Sequence, residues 1–269
     1  MKHKTSKNIL IALVLFFLYL PIMVLVVYSF NTSKMNVIFE GFTLNWYKNL
    51  FSNRVLIEAF INTLIIAVTS TIISTILGTL GAIGLYRYNF KFKSAINLLL
   101  YIPIVIPEIV LGISLLSIYT LTKLELGMFT LILSHIAFSI PFVIVSVRST
   151  LSKTLDTYEE AAKDLGANNF NTFFKVTLPQ IMPGVVSGAT LAFTLSLDDV
   201  VISYFTAGPG SNTLPLQIYS MIKTGISPDV NALTTLMLFT IMTILITTTV
   251  IQSRRIVGGR KWKRDYYYY

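Results

Sequence analysis

Two adjacent carboxylates, Asp198 and Asp199, stand between Ser196 and Ser203 in a run otherwise built of Ala, Phe, Thr, Leu, Val and Ile. A third, Glu108, follows Pro103 and Pro107 in a similarly apolar run. An aspartate at the centre of a membrane helix costs roughly 2.5–3.5 kcal/mol on insertion scales, so two together are kept for a reason. Either they receive a cationic group or they pair with a neighbouring helix, and both readings stay open on these residues. Hydrolysis by paired aspartates would need them on two helices, whereas these are neighbours on one. With 2 histidines and 0 cysteines the chain offers no convincing metal cluster, and H-E-x-x-H is absent. No G-x-x-x-x-G-K-[ST] occurs either, so the chain carries no P-loop for ATP hydrolysis.

On a continuous helix Gly188, Ala192, Ser196, Asp199 and Ser203 form one line of small and polar residues that cannot face lipid cheaply. Asp198 is expected about 100° around that helix, beside Thr194. His135, between Ser134 and Ile136, is expected to bond a neighbouring helix rather than to do chemistry.

The elements that must hold these side chains follow from composition. Of the 269 residues 54% are hydrophobic and 12% charged, with mean hydropathy +0.71, far from the balance of a soluble domain. A bilayer core of ~30 Å takes about 20 helical residues. Six runs reach that length, near 9–30, 60–86, 96–119, 127–147, 183–206 and 231–253, which predicts an all-α polytopic membrane protein with six transmembrane helices. Along the second, Ser70, Ser74, Gly78 and Ala82 recur every fourth residue, a spacing that lets helices approach closely in lipid. In the third, Pro103 and Pro107 remove backbone donors, which membranes tolerate where protein or a water-filled cavity covers the gap. Between the first two spans, Phe42 to Phe51 reads as a short surface helix, with Trp46 and Tyr47 as interface anchors.

The net charge of +9 does not point to nucleic acid, because 16 of the 21 basic residues gather in four groups, Lys2–Lys7, Arg87–Lys93, Arg148–Lys175 and Arg254–Arg264. With alternating spans all four lie on one side, and the positive-inside rule makes that side, and both termini, cytoplasmic. A basic start and an apolar run also describe a signal peptide. The run of about 20 residues exceeds the usual 7–15-residue core and no A-x-A-like site follows, so a retained first span is expected.

Tyr158 to Gly184 is a polar island between two of these spans. Tyr158, Ala161, Ala162 and Leu165 recur at helical spacing, and Glu159, Glu160, Lys163 and Asp164 take the other side. Gly166 supplies a φ > 0 stop, Asn168 or Asn169 can cap a second helix striped by Phe170, Phe173, Phe174 and Thr177, and Pro179 is expected to end it. The string Glu160, Ala161, Ala162, then Gly166, then Val176, Leu178 and Pro179 resembles the cytoplasmic signature of binding-protein-dependent ABC importer permeases. Val176 stands where that family usually has isoleucine.

The resemblance implies that this loop, 156–184, seats in a groove of a separate ATP-binding subunit and carries its motion to the membrane. It divides the chain into a first span with its outer loop (1–55), a permease core (56–253) and a basic tail (254–269). It also implies a transport subunit of a bacterial inner membrane rather than an enzyme, without a cofactor. Its partners would be two ATPase copies, a second permease and an extracytoplasmic solute-binding protein. Ser196 to Leu233 further resembles the second permease of spermidine/putrescine importers, which makes a polyamine the expected substrate and Glu108, Ser196, Asp198, Asp199 and Ser203 the expected path. Permeases for ferric iron or phosphonates are the alternative within the superfamily. A self-sufficient channel or carrier is the alternative outside it.

Overall fold

The computed structural model describes residues 2–33, 38–224, 228–240 and 242–243. Among these every regular element is helical. In order they are α1 (Lys2–Tyr28), α2 (Asn45–Leu50), α3 (Arg54–Arg87), α4 (Lys93–Val105), α5 (Glu108–Leu121), α6 (Met128–Arg148), α7 (Lys153–Asp164), α8 (Asn169–Thr172), a π-helical turn (Phe173–Thr177), α9 (Leu178–Asp198), α10 (Val201–Thr206) and α11 (Leu214–Thr224). Four stretches, Lys7–Tyr28, Arg54–Arg87, Met128–Arg148 and Asn169–Asp198, are long and apolar enough to cross a bilayer. The expected sixth span, 231–253, opens as helix through residue 240, and most of its remainder lies outside the described residues, as does the basic tail.

The chain forms two compact units, Met1–Arg54 with Met221–Tyr269, and Val55–Ser220. In the first, α1 exposes apolar side chains from Ile9 to Val27 on every side, as a lipid-facing helix does. The loop after it is organised by Asn31, whose side chain bonds the Ile38 carbonyl and the Glu40 amide and whose carbonyl accepts the Trp46 indole N–H at 2.6 Å. Tyr47 reaches Ser29 at 2.7 Å. The polar ends of the two expected anchors therefore tie α2 to the end of α1.

In the second unit α3, α6 and α9 share a core of Ala82, Ile83, Leu85, Val143, Ile144, Val147, Ile181 and Ala192. The small-residue line of α3 is its packing face: Ser70, Ser74, Gly78 and Ala82 are all buried, and a Cβ on Gly78 would stand 2.7 Å from Val143 of α6. Close packing replaces hydrophobic drive between helices in lipid, so these residues set how near the backbones come.

Two expectations are corrected and one is located. The irregular backbone expected of the third span falls at Pro107, which forces the preceding Ile106 into extended backbone (φ −70°, ψ 139°), so that α4 and α5 meet at 112°. The fifth span is also broken, because α9 ends at Asp198 and Asp199 is extended (φ −64°, ψ 129°) before α10 begins. The line Gly188, Ala192, Ser196, Asp199, Ser203 is thus buried but divided, with three residues on α9, Asp199 in the break and Ser203 on α10. Finally, Pro179 does not end the helix begun at Asn169. It occupies the first turn of α9, where its missing N–H costs least, and the π turn before it keeps the helix running.

Candidate functional site

The break between α9 and α10 is held by Asp199. Its carboxylate accepts the Ile202 amide at 3.1 Å and both the amide and hydroxyl of Ser203 at 2.7 Å, which caps the short α10. His135 of α6 fills the space behind it. One imidazole nitrogen, Nδ1, lies 2.6 Å from Ser196 Oγ; the other, Nε2, lies 3.2 Å from Ser203 Oγ and 3.5 Å from Asp199 Oδ2. Ser196 in turn meets Ser70 of α3 at 3.2 Å. His135, Ser196, Ser203 and Ser70 are all at most 3% exposed, so this is a closed polar network in an apolar bundle. Buried polar groups of this kind are tolerated only when satisfied.

Asp198 and Glu108 differ from it. Both are exposed, one at the last residue of α9 and the other at the first of α5. The two breaks adjoin, since α5 packs on α10 with Gly112 against Phe205. The five residues expected to act together therefore gather in one place but divide. Ser196, Asp199 and Ser203 are bound inside the network, while Asp198 and Glu108 offer free carboxylate surface. His135 bonds its neighbouring helices as expected. That it organises the break was beyond the sequence, which gives no sign that Ser196 and Ser203 flank one imidazole.

The second site is the polar loop. Helix α7 ends at Asp164 and the chain turns at Gly166, whose φ of 87° only glycine adopts freely, with the Gly166 and Ala167 amides closing back onto Lys163 and Ala162 carbonyls. The Asn168 side chain then accepts the Asn171 amide at 2.8 Å and caps α8. Of the signature residues Glu160, Ala161, Gly166 and Pro179 are exposed and Ala162, Val176 and Leu178 half-buried. Around them a broad apolar surface is left open: Leu165 is 90% exposed and Phe170 70%, with Tyr158 and Phe174 beside them.

One residue of the loop breaks the expected pattern. Glu159, assigned with its acidic neighbours to the open side, is 7% exposed. Its carboxylate accepts from Arg87 at the end of α3 and from the Thr177 hydroxyl at the end of the π turn. One turn earlier Asp156 accepts the Tyr86 hydroxyl at 2.8 Å. Helical periodicity could not have found these partners, because they lie on other elements.

Residues 74–262 match the family described as the binding-protein-dependent transport system inner membrane component, a range that holds Glu108, the loop and both aspartates. The chain belongs to that family. A member similar to it, the spermidine/putrescine transport system permease protein PotC of Escherichia coli (strain K12), is 43% identical over 90% of this chain and 92% of its own. The PotC of Haemophilus influenzae is 41% identical over 91% and 95%. The putrescine transport system permease protein PotI of Escherichia coli (strain K12) is 39% identical over 82% of each chain. Among solved structures, a bacterial ABC transporter involved in the import of the acidic polysaccharide alginate aligns with TM-score 0.67 over 93% of this chain and 95% of that one. At 15% identity that likeness speaks for the fold alone, which is that of an ABC importer permease. This family member is thus a multi-pass, all-α membrane protein and the membrane component of a transport system that works with a binding protein.

Proposed function

We propose that this chain is one of two permease subunits of an ATP-driven importer for polyamines, in a bacterial inner membrane with both termini cytoplasmic. The observation that carries the substrate is 43% identity across 90% of the chain to a spermidine/putrescine permease. The chemistry agrees: a polyamine presents ammonium groups several bonds apart, and Asp198 and Glu108 supply separate exposed carboxylates at two adjoining helix breaks. Irregular backbone at membrane depth belongs where it lines a path, and charge there marks one.

In the mechanism this supports, Asp199 and His135 do not bind substrate. They hold the α9–α10 break open so that Asp198 projects from it. The loop from Glu160 to Pro179 meets two copies of a separate ATP-hydrolysing subunit, one through this chain and one through the second permease. Its exposed face of Tyr158, Leu165 and Phe170 is the surface that seats there. An extracytoplasmic binding protein delivers the substrate.

Reconstitution of the complete complex in proteoliposomes tests the proposal. ATP-dependent uptake of labelled spermidine or putrescine is expected, with ferric iron and aminophosphonates failing to compete. Uptake of iron or phosphonate without polyamine uptake would transfer the chain to the alternative substrate class. Polyamine flux that needs no ATPase would make it a carrier or channel.

A further inference from the structure

Three elements converge on one buried carboxylate. Glu159 of α7 takes Arg87 from the last turn of α3 and Thr177 from the π turn that leads into α9, and Tyr86 of α3 holds Asp156 of α7 one turn away. Further along the same two membrane helices, Ser70 of α3 meets Ser196 of α9. Helices α3 and α9 are therefore tied at two levels, and the tie at the loop end passes through a side chain of the loop itself. From Thr177, α9 runs 21 residues to Asp198, about 31 Å of helix at 1.5 Å per residue.

We propose that Glu159 is a positioning residue that makes α7 move as one body with α3 and α9, so that a displacement of the exposed loop reaches the Asp198–Asp199 break. This rests on the reading of the loop as the surface that meets the ATPase. A carboxylate suits the role because one of its oxygens, Oε1, accepts from a cation and a hydroxyl at once, and a charge-assisted bond inside the protein is stronger than a neutral one. Burial keeps water from competing: the Glu159 side chain is 9% exposed, against 35% for Arg87. The π turn sits where α9 begins, and such turns are frequent at sites of function. Glu160, the next residue, points outward, so the loop presents one acidic residue to its partner and keeps the other for its own frame.

The complete transporter in proteoliposomes provides the test, with three readings: ATPase subunit retained on purification, ATP hydrolysis stimulated by polyamine-loaded binding protein, and polyamine taken up per ATP hydrolysed. Thr177→Val, isosteric but without the hydroxyl, and Glu159→Gln, without the charge, are expected to retain the ATPase while uptake per ATP falls tenfold or more. Thr177→Ser, which restores the hydroxyl, is expected within twofold of the parent. An unchanged uptake-to-hydrolysis ratio in both Thr177→Val and Glu159→Gln would overturn the proposal. So would loss of the ATPase from both, since the network would then only shape the loop. Leu165→Arg, on the open face away from this network, examines the underlying reading separately: it is expected to lose the ATPase. If it retained the ATPase, the docking surface, and the proposal with it, would fall.

Discussion

Neighbours in sequence, Asp198 and Asp199 have different work because the helix ends between them. Asp199 accepts three hydrogen bonds from α10 and faces His135, whereas Asp198 is exposed. Asp199→Asn keeps one acceptor oxygen for donors that now use two, and a hydrogen bond to a charged group contributes about 1.5–3 kcal/mol. It is expected to lower the thermal midpoint of the purified complex by several degrees and to reduce uptake in step with assembly. Asp198→Asn is expected to leave assembly and midpoint unchanged while uptake falls tenfold or more, with Glu108→Gln acting in the same direction more weakly. The opposite pattern, in which Asp198→Asn loses assembly and Asp199→Asn loses only uptake, would reverse the two roles. Sequence marks the pair as costly and no more. No glycine or proline announces the break, and the imidazole that settles Asp199 is 64 positions away in the chain.

At the scale of elements, what depends on near neighbours was legible and what depends on tertiary partners was not. The Gly166 stop, the Asn168 cap and the bend before Pro107 all follow from residues within a turn of the event. The inward turn of Glu159 does not, because Arg87 and Thr177 are 72 and 18 residues distant. Pro179 was misread for a related reason, since a proline closes a helix or opens one depending on the ladder before it. The loop's two short helices make one surface only if the chain reverses at Gly166. A Cβ there would meet nothing within 4 Å, so the position is constrained by its φ of 87° alone. Left-handed backbone costs an ordinary L residue about 1–2 kcal/mol, and asparagine tolerates it best. Gly166→Val is therefore expected to abolish most uptake and ATPase copurification, with Gly166→Asn close to the parent. Equal behaviour of the two variants would mean that the turn does not set the surface.

For the molecule as a whole the open question is which side each loop faces, and α6 makes it answerable within one compact unit. It runs 21 residues from Met128 to Arg148, about 31 Å and enough to cross the hydrocarbon core. Lys123 lies just before it and Lys163 in the loop that follows it. Arg148 in its last turn begins one of the four basic groups, and excess lysine and arginine in short loops marks the cytoplasmic side. The loop with Lys123 carries one basic residue and one acidic, Glu125, which gives no such bias. Because the chain has 0 cysteines, single thiols can be placed at will. In intact cells Lys123→Cys is expected to react with a membrane-impermeant maleimide, and Lys163→Cys only after permeabilisation, in membranes stripped of the ATPase that would cover it. Both positions are exposed, so silence reports sidedness rather than burial. Labelling of Lys163→Cys from outside would invert the assignment and take the Glu160–Pro179 loop out of reach of any cytoplasmic ATPase.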